Sequence, residues 1–175
     1  YMILKDISFF LKKIFLKKKN QLKKRIIRSI KSNTEDEMQI VHELCDKDKI
    51  SIDVGVFRGV YSYLLSPHSS EVLGFEANPV MFKYLDLNLR KIINNIKLYN
   101  TALSDSEGDA DLKIPLRKKS FFKFNFEDYY EGGKATIHRE NNLSGQENHS
   151  FKVKKIRLDS FKFNIEVGFI KIDVE

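Results

Sequence analysis

Cysteine is almost absent from this chain of 175 residues, where Cys45 stands alone. No disulfide can form within the chain, and the composition fits a reducing compartment better than a secreted one. A single cysteine beside Leu44 reads as a small apolar filler. Long hydrophobic runs are missing too: no apolar stretch approaches the roughly 20 residues a membrane-spanning helix needs. The apolar start "YMILKDISFF" is broken by Lys5, followed by Lys12 and Lys13 and by no small-residue cleavage site, so a secretory signal is not expected. The histidines, His42, His68, His138 and His149, have no spacing that sets two ligands on one helix face, so no metal site is predicted. No internal repeat is present. Acidic residues are scarce in one place only. Residues 1–32 carry eleven Lys and Arg against Asp6 alone, a local charge of +10, which leaves −3 on the remainder of a chain totalling +7.

With 42% hydrophobic and 31% charged residues the chain can bury one core, so one domain follows the basic segment. The division is 1–32 and 33–175. The chain begins without Met and stops at "FIKIDVE", and it is read as part of something longer. Within the basic segment, apolar residues fall at Ile3/Leu4, Ile7, Phe10/Leu11 and Ile14/Phe15, then at Leu22, Ile26/Ile27 and Ile30. This is the three-four spacing of an amphipathic helix, or of a broken pair. Two uses are open: packing on the adjoining domain, or lying on an anionic membrane at its cytoplasmic face. Nucleic acid is not expected as a partner, because no aromatic platform or reading helix accompanies the charge.

From residue 33 the pattern alternates. "NTEDEMQIVHELCDK" predicts a short helix capped by Asn33 or Thr34, with Met38, Val41 and Leu44/Cys45 on its inner face. "KISIDVG", "EVLGFE" and "IKLYNTAL" predict strands, separated by the helices "GVYSYLLSP" and "NPVMFKYLDLNLRKII", the latter with Asn78 as cap and Pro79 in its first turn. Strand, helix, strand, helix, strand implies an α/β fold with parallel pairing, the strand near 50–54 lying centrally between those near 71–76 and 168–173. "ADLKIP" and "FKVKKIRL" predict two further strands around a long segment containing "FFKFNFEDYYEGGK".

In an open parallel sheet, ligands bind beyond the carboxyl ends of the strands. Asp53, Glu76, Ser104/Asp105 and Asp173/Glu175 all lie there. Gly55 and Gly59 permit a tight turn. Glu76, at the end of the next strand, suits the hydroxyls of an adenosine ribose. Together they point to a nucleoside cofactor. A pyrophosphate beside Asp53 would cost roughly 4 kcal/mol per charge pair at an intermediate effective dielectric. A sulfonium and ammonium would be attracted instead. The glycine that lets a backbone meet a pyrophosphate is also missing from Gly55-Val56-Phe57. The sequence therefore favours S-adenosylmethionine over a nicotinamide dinucleotide.

"IDVGVFRGVYSYLL", "GFEANP", "NTALSDSEGDADLKIP", "LDSF" and "FIKIDVE" occur in the order and spacing of the FkbM family of S-adenosylmethionine-dependent methyltransferases, which residues 50–175 resemble. The resemblance implies a Rossmann-like class I methyltransferase sheet, here truncated after the fourth strand. It implies Asp53, Gly55 and Gly59 around the methionine part of the cofactor, Glu76 with Asn78 at the ribose, and Ala102, Leu103, Ser104 and Asp105 along the adenine. Asp173 and Glu175 would face the transferred methyl and the acceptor. The implied reaction is O-methylation of a hydroxyl, on a sugar of a surface glycan or glycolipid or on a small molecule. Asp173 is the first candidate for the base, and Lys171, on the same strand face, could steer the acceptor. His138 and His149 are secondary candidates. The turn reads Val56-Phe57 where the family commonly has Ala-Asn. The alternative from another class is a non-catalytic module that binds a nucleoside cofactor and is recruited by its basic helix.

Overall fold

The computed structural model describes residues 20–32, 35–115, 135–137 and 148–174. Residues 20–32 form helix α1. There follow α2 (Glu37–Leu44), β1 (Ile50–Val54), α3 (Val60–Leu65), β2 (Glu71–Phe75), α4 (Pro79–Asn88), β3 (Ile96–Tyr99), β4 (Ala102–Leu103), β5 (Gly108–Pro115), β6 (Asn148–Ile156) and β7 (Val167–Ile172). The first half of the basic segment, the expected caps Asn33 and Thr34, the "FFKFNFEDYYEGGK" stretch, His138 and Glu175 lie outside the described residues. No described helix is long and apolar enough to cross a membrane.

Four strands form a parallel sheet in the order β3-β2-β1-β7. The central strand is the expected one: Ile52 sits between Leu73 and Ile170. Because β1, β2 and β3 step one way and β7 returns to the other side of β1, the sheet reverses direction at the end of β1. That reversal is where a crevice opens in sheets of this class.

Alternation along the strands divides the core in two. Ile50, Ile52, Val54, Leu73 and Phe75 share one cluster, covered by Ile156, Leu158, Phe161 and Phe163. The opposite face holds Val72, Ile96 and Leu98 together with Leu22 and Ile26 of α1, Val41 of α2, Leu65 of α3 and Leu85 of α4. All four helices thus contribute to one face. On the edge strand β7, Ile170 and Ile172 remain 43% and 69% exposed.

Three local expectations are corrected. Helix α2 begins at Glu37 with Asp36 before it and no side-chain cap bond, and Leu44 is exposed instead of facing inward. Helix α4 ends at Asn88 and continues only as the tight turn Leu89–Lys91. The third strand stops at Tyr99, and Ala102–Leu103 joins a second, three-stranded sheet of order β4-β6-β5, in which β6 runs antiparallel to β5. The break is made by Asn100, whose amide donates to the carbonyls of Glu76 and Ala77, and by Thr101, whose hydroxyl donates to the Lys154 carbonyl.

Candidate cofactor cleft

A cavity of about 550 Å³ opens at the carboxyl ends of β1, β2 and β3, with Leu112, Ala135 and Ile137 of the smaller sheet's side as its far wall. This volume falls in the range of small-molecule sites, roughly 300–1,000 Å³. Its floor is the turn after β1. Gly55 and Gly59 have φ of +81° and +75°, the left-handed region that glycine enters at no steric cost. A Cβ on Gly55 would lie 2.1 Å from the Asp173 carbonyl oxygen, so the missing side chain lets the end of β7 close against the turn. Phe57 is also left-handed, at φ +48°, and its ring packs beneath the Arg58 guanidinium, 4.9 Å from the ring centre.

Glu76 is nearly buried at the end of β2. Its Oε2 accepts from the Phe57 amide at 2.8 Å and its Oε1 from the Asn78 amide at 2.9 Å. Burial pushes its carboxyl up to about 7, against the opposing pull of those two amides. Each oxygen keeps a second lone pair for a donor in the cleft. Asn78 caps α4, its Oδ1 accepting from the amides of Val80 and Met81. Asp105 accepts from the hydroxyls of Ser106 and Ser104, and these bonds lower its pKa.

Of the residues singled out in the sequence, the cleft brings together Gly55, Glu76, Asn78, Ala102, Leu103, Ser104, Asp105 and Asp173. Asp53, Gly59 and Lys171 are not in its lining. Asp53, expected beside the methionine part of the cofactor, does not itself border the cleft, because alternation turns it to the helix side of β1. There it is fully buried beneath the turn, and its Oδ2 accepts from the Ser62 hydroxyl at 2.6 Å. Burial raises its pKa, opposed by Lys171 and Ser62. Gly59 is buried under the side chain of Leu89. The expectation that Lys171 steers an acceptor is likewise corrected, since its ammonium turns inward, 3.6 Å from Asp53 Oδ1 and 3.3 Å from Asp173 Oδ2. His149 lies in β6 against Phe151, away from the cleft lining.

Sequence reasoning missed Glu35, Thr101 and the apolar wall, and marked Phe57 only as a departure in the turn. Glu35 reaches the cleft from before α2, and its carboxylate accepts from the Tyr61 hydroxyl at 2.5 Å. Burial and that bond push the Tyr61 phenol above its usual range. No local pattern announces a contact spanning 26 positions. The described lining therefore carries four carboxylates, Glu35, Glu76, Asp105 and Asp173, and neither lysine nor arginine. Such a lining repels a pyrophosphate and suits a ligand with hydroxyl donors and positive charge. S-adenosylmethionine fits this set.

The family model described as "Methyltransferase FkbM domain" matches residues 53–175. No curated protein matches the sequence. Among solved structures, the chain is similar to an rRNA methylase from Streptococcus thermophilus, at 20% identity and TM-score 0.34, over 37% of this chain and 37% of that one. It is also similar to SMU.1697c from Streptococcus mutans, solved in complex with SAH, at 21% identity and TM-score 0.35, over 38% of each chain. The chain thus spans well under half the length of either structure.

Proposed function

The chain belongs to the FkbM methyltransferase family, and from that premise we propose that it forms the cofactor-binding part of an S-adenosylmethionine-dependent O-methyltransferase acting on a hydroxyl, of a sugar in a surface glycan or glycolipid. The observation that carries the reading is a cleft at the reversal of the sheet with four carboxylates and no cation in its described lining. Glu76 would take the ribose hydroxyls, Ala102 to Asp105 would border the adenine, and Gly55 and Asp173 would border the methionine end. Bound there, S-adenosylmethionine would supply a methyl carbon already activated by its sulfonium. The protein's share is then orientation of the acceptor oxygen and removal of its proton. Asp173, 71% exposed at the cleft, is the group for that proton. The test is transfer of labelled methyl from S-adenosylmethionine to a glycan fraction, with Asp173→Asn expected to lose at least about 100-fold in rate, the scale of general-base catalysis. Transfer to protein or RNA in place of glycan would refute the acceptor assignment.

The basic segment supports a cytoplasmic location at an anionic membrane, where lipid-linked glycans would be met. In α1, Leu22 and Ile26 are turned into the protein core, while Lys23, Lys24, Arg28 and Lys31 are exposed. Attraction through this half would be electrostatic, on the order of 1 kcal/mol per basic residue near the surface. Binding to anionic vesicles at low salt, lost as salt rises, is the expected outcome. No binding at low salt would refute it.

A further inference from the structure

The acid beneath the turn is coupled to the cleft by one ammonium. Asp53 and Lys171 face each other in register across β1 and β7. Asp53 Oδ1 is buried with no hydrogen-bond partner among the described residues, and Lys171 Nζ stands 3.6 Å from it. Lys171, 13% exposed, also donates to the Gly55 carbonyl at 3.5 Å and to Asp173 Oδ2 at 3.3 Å, and its ammonium lies 4.6 Å from the centre of the Tyr61 ring. Taking a carboxylate and an ammonium out of water is costly, and a pair with long contacts and an unsatisfied oxygen does not recover that cost as stability. Its use lies in what it holds. The ammonium joins the floor of the turn, the end of β7 and the α3 ring, and among the described residues the one exposed group it touches is Asp173, on the cleft.

We propose that Lys171 is a positioning residue: anchored by buried Asp53, its ammonium fixes the Gly55 carbonyl and the Asp173 carboxylate at one end of the cleft. This rests on the reading of the cleft as an S-adenosylmethionine site. Among the described residues, the charged and titratable groups around the ammonium are Asp53 on β1, Asp173 after β7 and Tyr61 on α3. Glu35 is bonded to the Tyr61 hydroxyl, and Glu76 feels both Asp53 and Lys171 electrostatically.

The test compares the wild-type protein with Lys171→Met and with the double variant Lys171→Met/Asp53→Asn. The readouts are thermal unfolding from pH 5 to 8, amide exchange across Gly55–Gly59, and calorimetric titration with S-adenosylhomocysteine. Lys171→Met leaves Asp53 buried without its cation, so its unfolding temperature should drop most at pH 8 and recover toward pH 5 as Asp53 takes a proton. The double variant removes the buried charge and should regain stability at pH 8. It should nonetheless keep faster exchange in the turn and bind S-adenosylhomocysteine about 10-fold more weakly, because Asp173 and the Gly55 carbonyl are no longer held. A double variant with wild-type turn exchange and wild-type affinity would overturn the proposal and reduce Lys171 to a counter-ion. If the wild-type protein fails to bind S-adenosylhomocysteine, the cofactor reading falls, and turn exchange in the double variant alone decides the role of Lys171.

Discussion

At the scale of single residues, two glycines with the same backbone sign differ in what surrounds them. An alanine in the left-handed region costs about 1–2 kcal/mol. Gly59→Ala should cost that much and more, since the added methyl meets the buried side chain of Leu89, which can yield only by repacking in the core. Gly55→Ala should cost more than Gly59→Ala in chemical denaturation, because its methyl would strike the Asp173 carbonyl, which cannot move without shifting the end of β7. Equal losses would mean that β7 does not close on the turn. Glu76 makes a prediction in pH. Burial holds it at about 7, against 4.5 when exposed. The folded state thus binds its proton more tightly than the unfolded chain, and the stability this lends is full below about pH 4.5 and lost by pH 7. The span corresponds to roughly 3 kcal/mol. Glu76→Gln should flatten that slope in unfolding measured from pH 4.5 to 8. Hydroxyl donors favour the charged form, so affinity for S-adenosylhomocysteine should rise from pH 6 to 8 in the wild-type protein and stay level in Glu76→Gln.

At the scale of elements, the sequence announced what local chemistry decides. Asn78 and Pro79 mark the start of α4 because a cap side chain and a ring lacking an N–H each satisfy a helix end without outside help. Asn78→Ala should therefore cost about 1 kcal/mol in thermal unfolding. A loss within error would mean that the two cap bonds carry no weight. The parallel order around β1 was legible for the same reason, since apolar runs alternate with helical ones. The split between β3 and β4 was not. Its apolar alternation runs on through Ala102 and Leu103, and the bonds that break it come from Glu76, Ala77 and Lys154, far along the chain. The site was legible in part. Glycines and acids at strand ends are readable, but which acid faces the cleft depends on a face of the strand. Asp53 shares its face of β1 with Ser51, toward the helices, and it is the packing of distant groups, Ser62 of α3 and Lys171 of β7 among them, that makes that side dry.

At the scale of the molecule, helix α1, the described part of the basic segment, is joined to the core. Leu22 and Ile26 are fully buried with Leu65, Leu85 and Leu89. Leu22→Ala should cost about 2–5 kcal/mol, the usual range for a buried leucine, and removal of residues 1–32 should lower the unfolding temperature. If the truncated protein unfolds at the wild-type temperature, α1 is an appendage and not part of the fold.

One cleft, whose described lining is rich in carboxylates and holds no cation, carries the cofactor assignment, and the most direct test of it is calorimetric titration of the protein with S-adenosylhomocysteine and with a nicotinamide dinucleotide. Saturable binding of the first and none of the second is predicted, with Glu76→Ala weakening the former by roughly 1.5–3 kcal/mol, or about 10- to 150-fold. Binding of the dinucleotide alone, or Glu76→Ala with wild-type affinity, would contradict it.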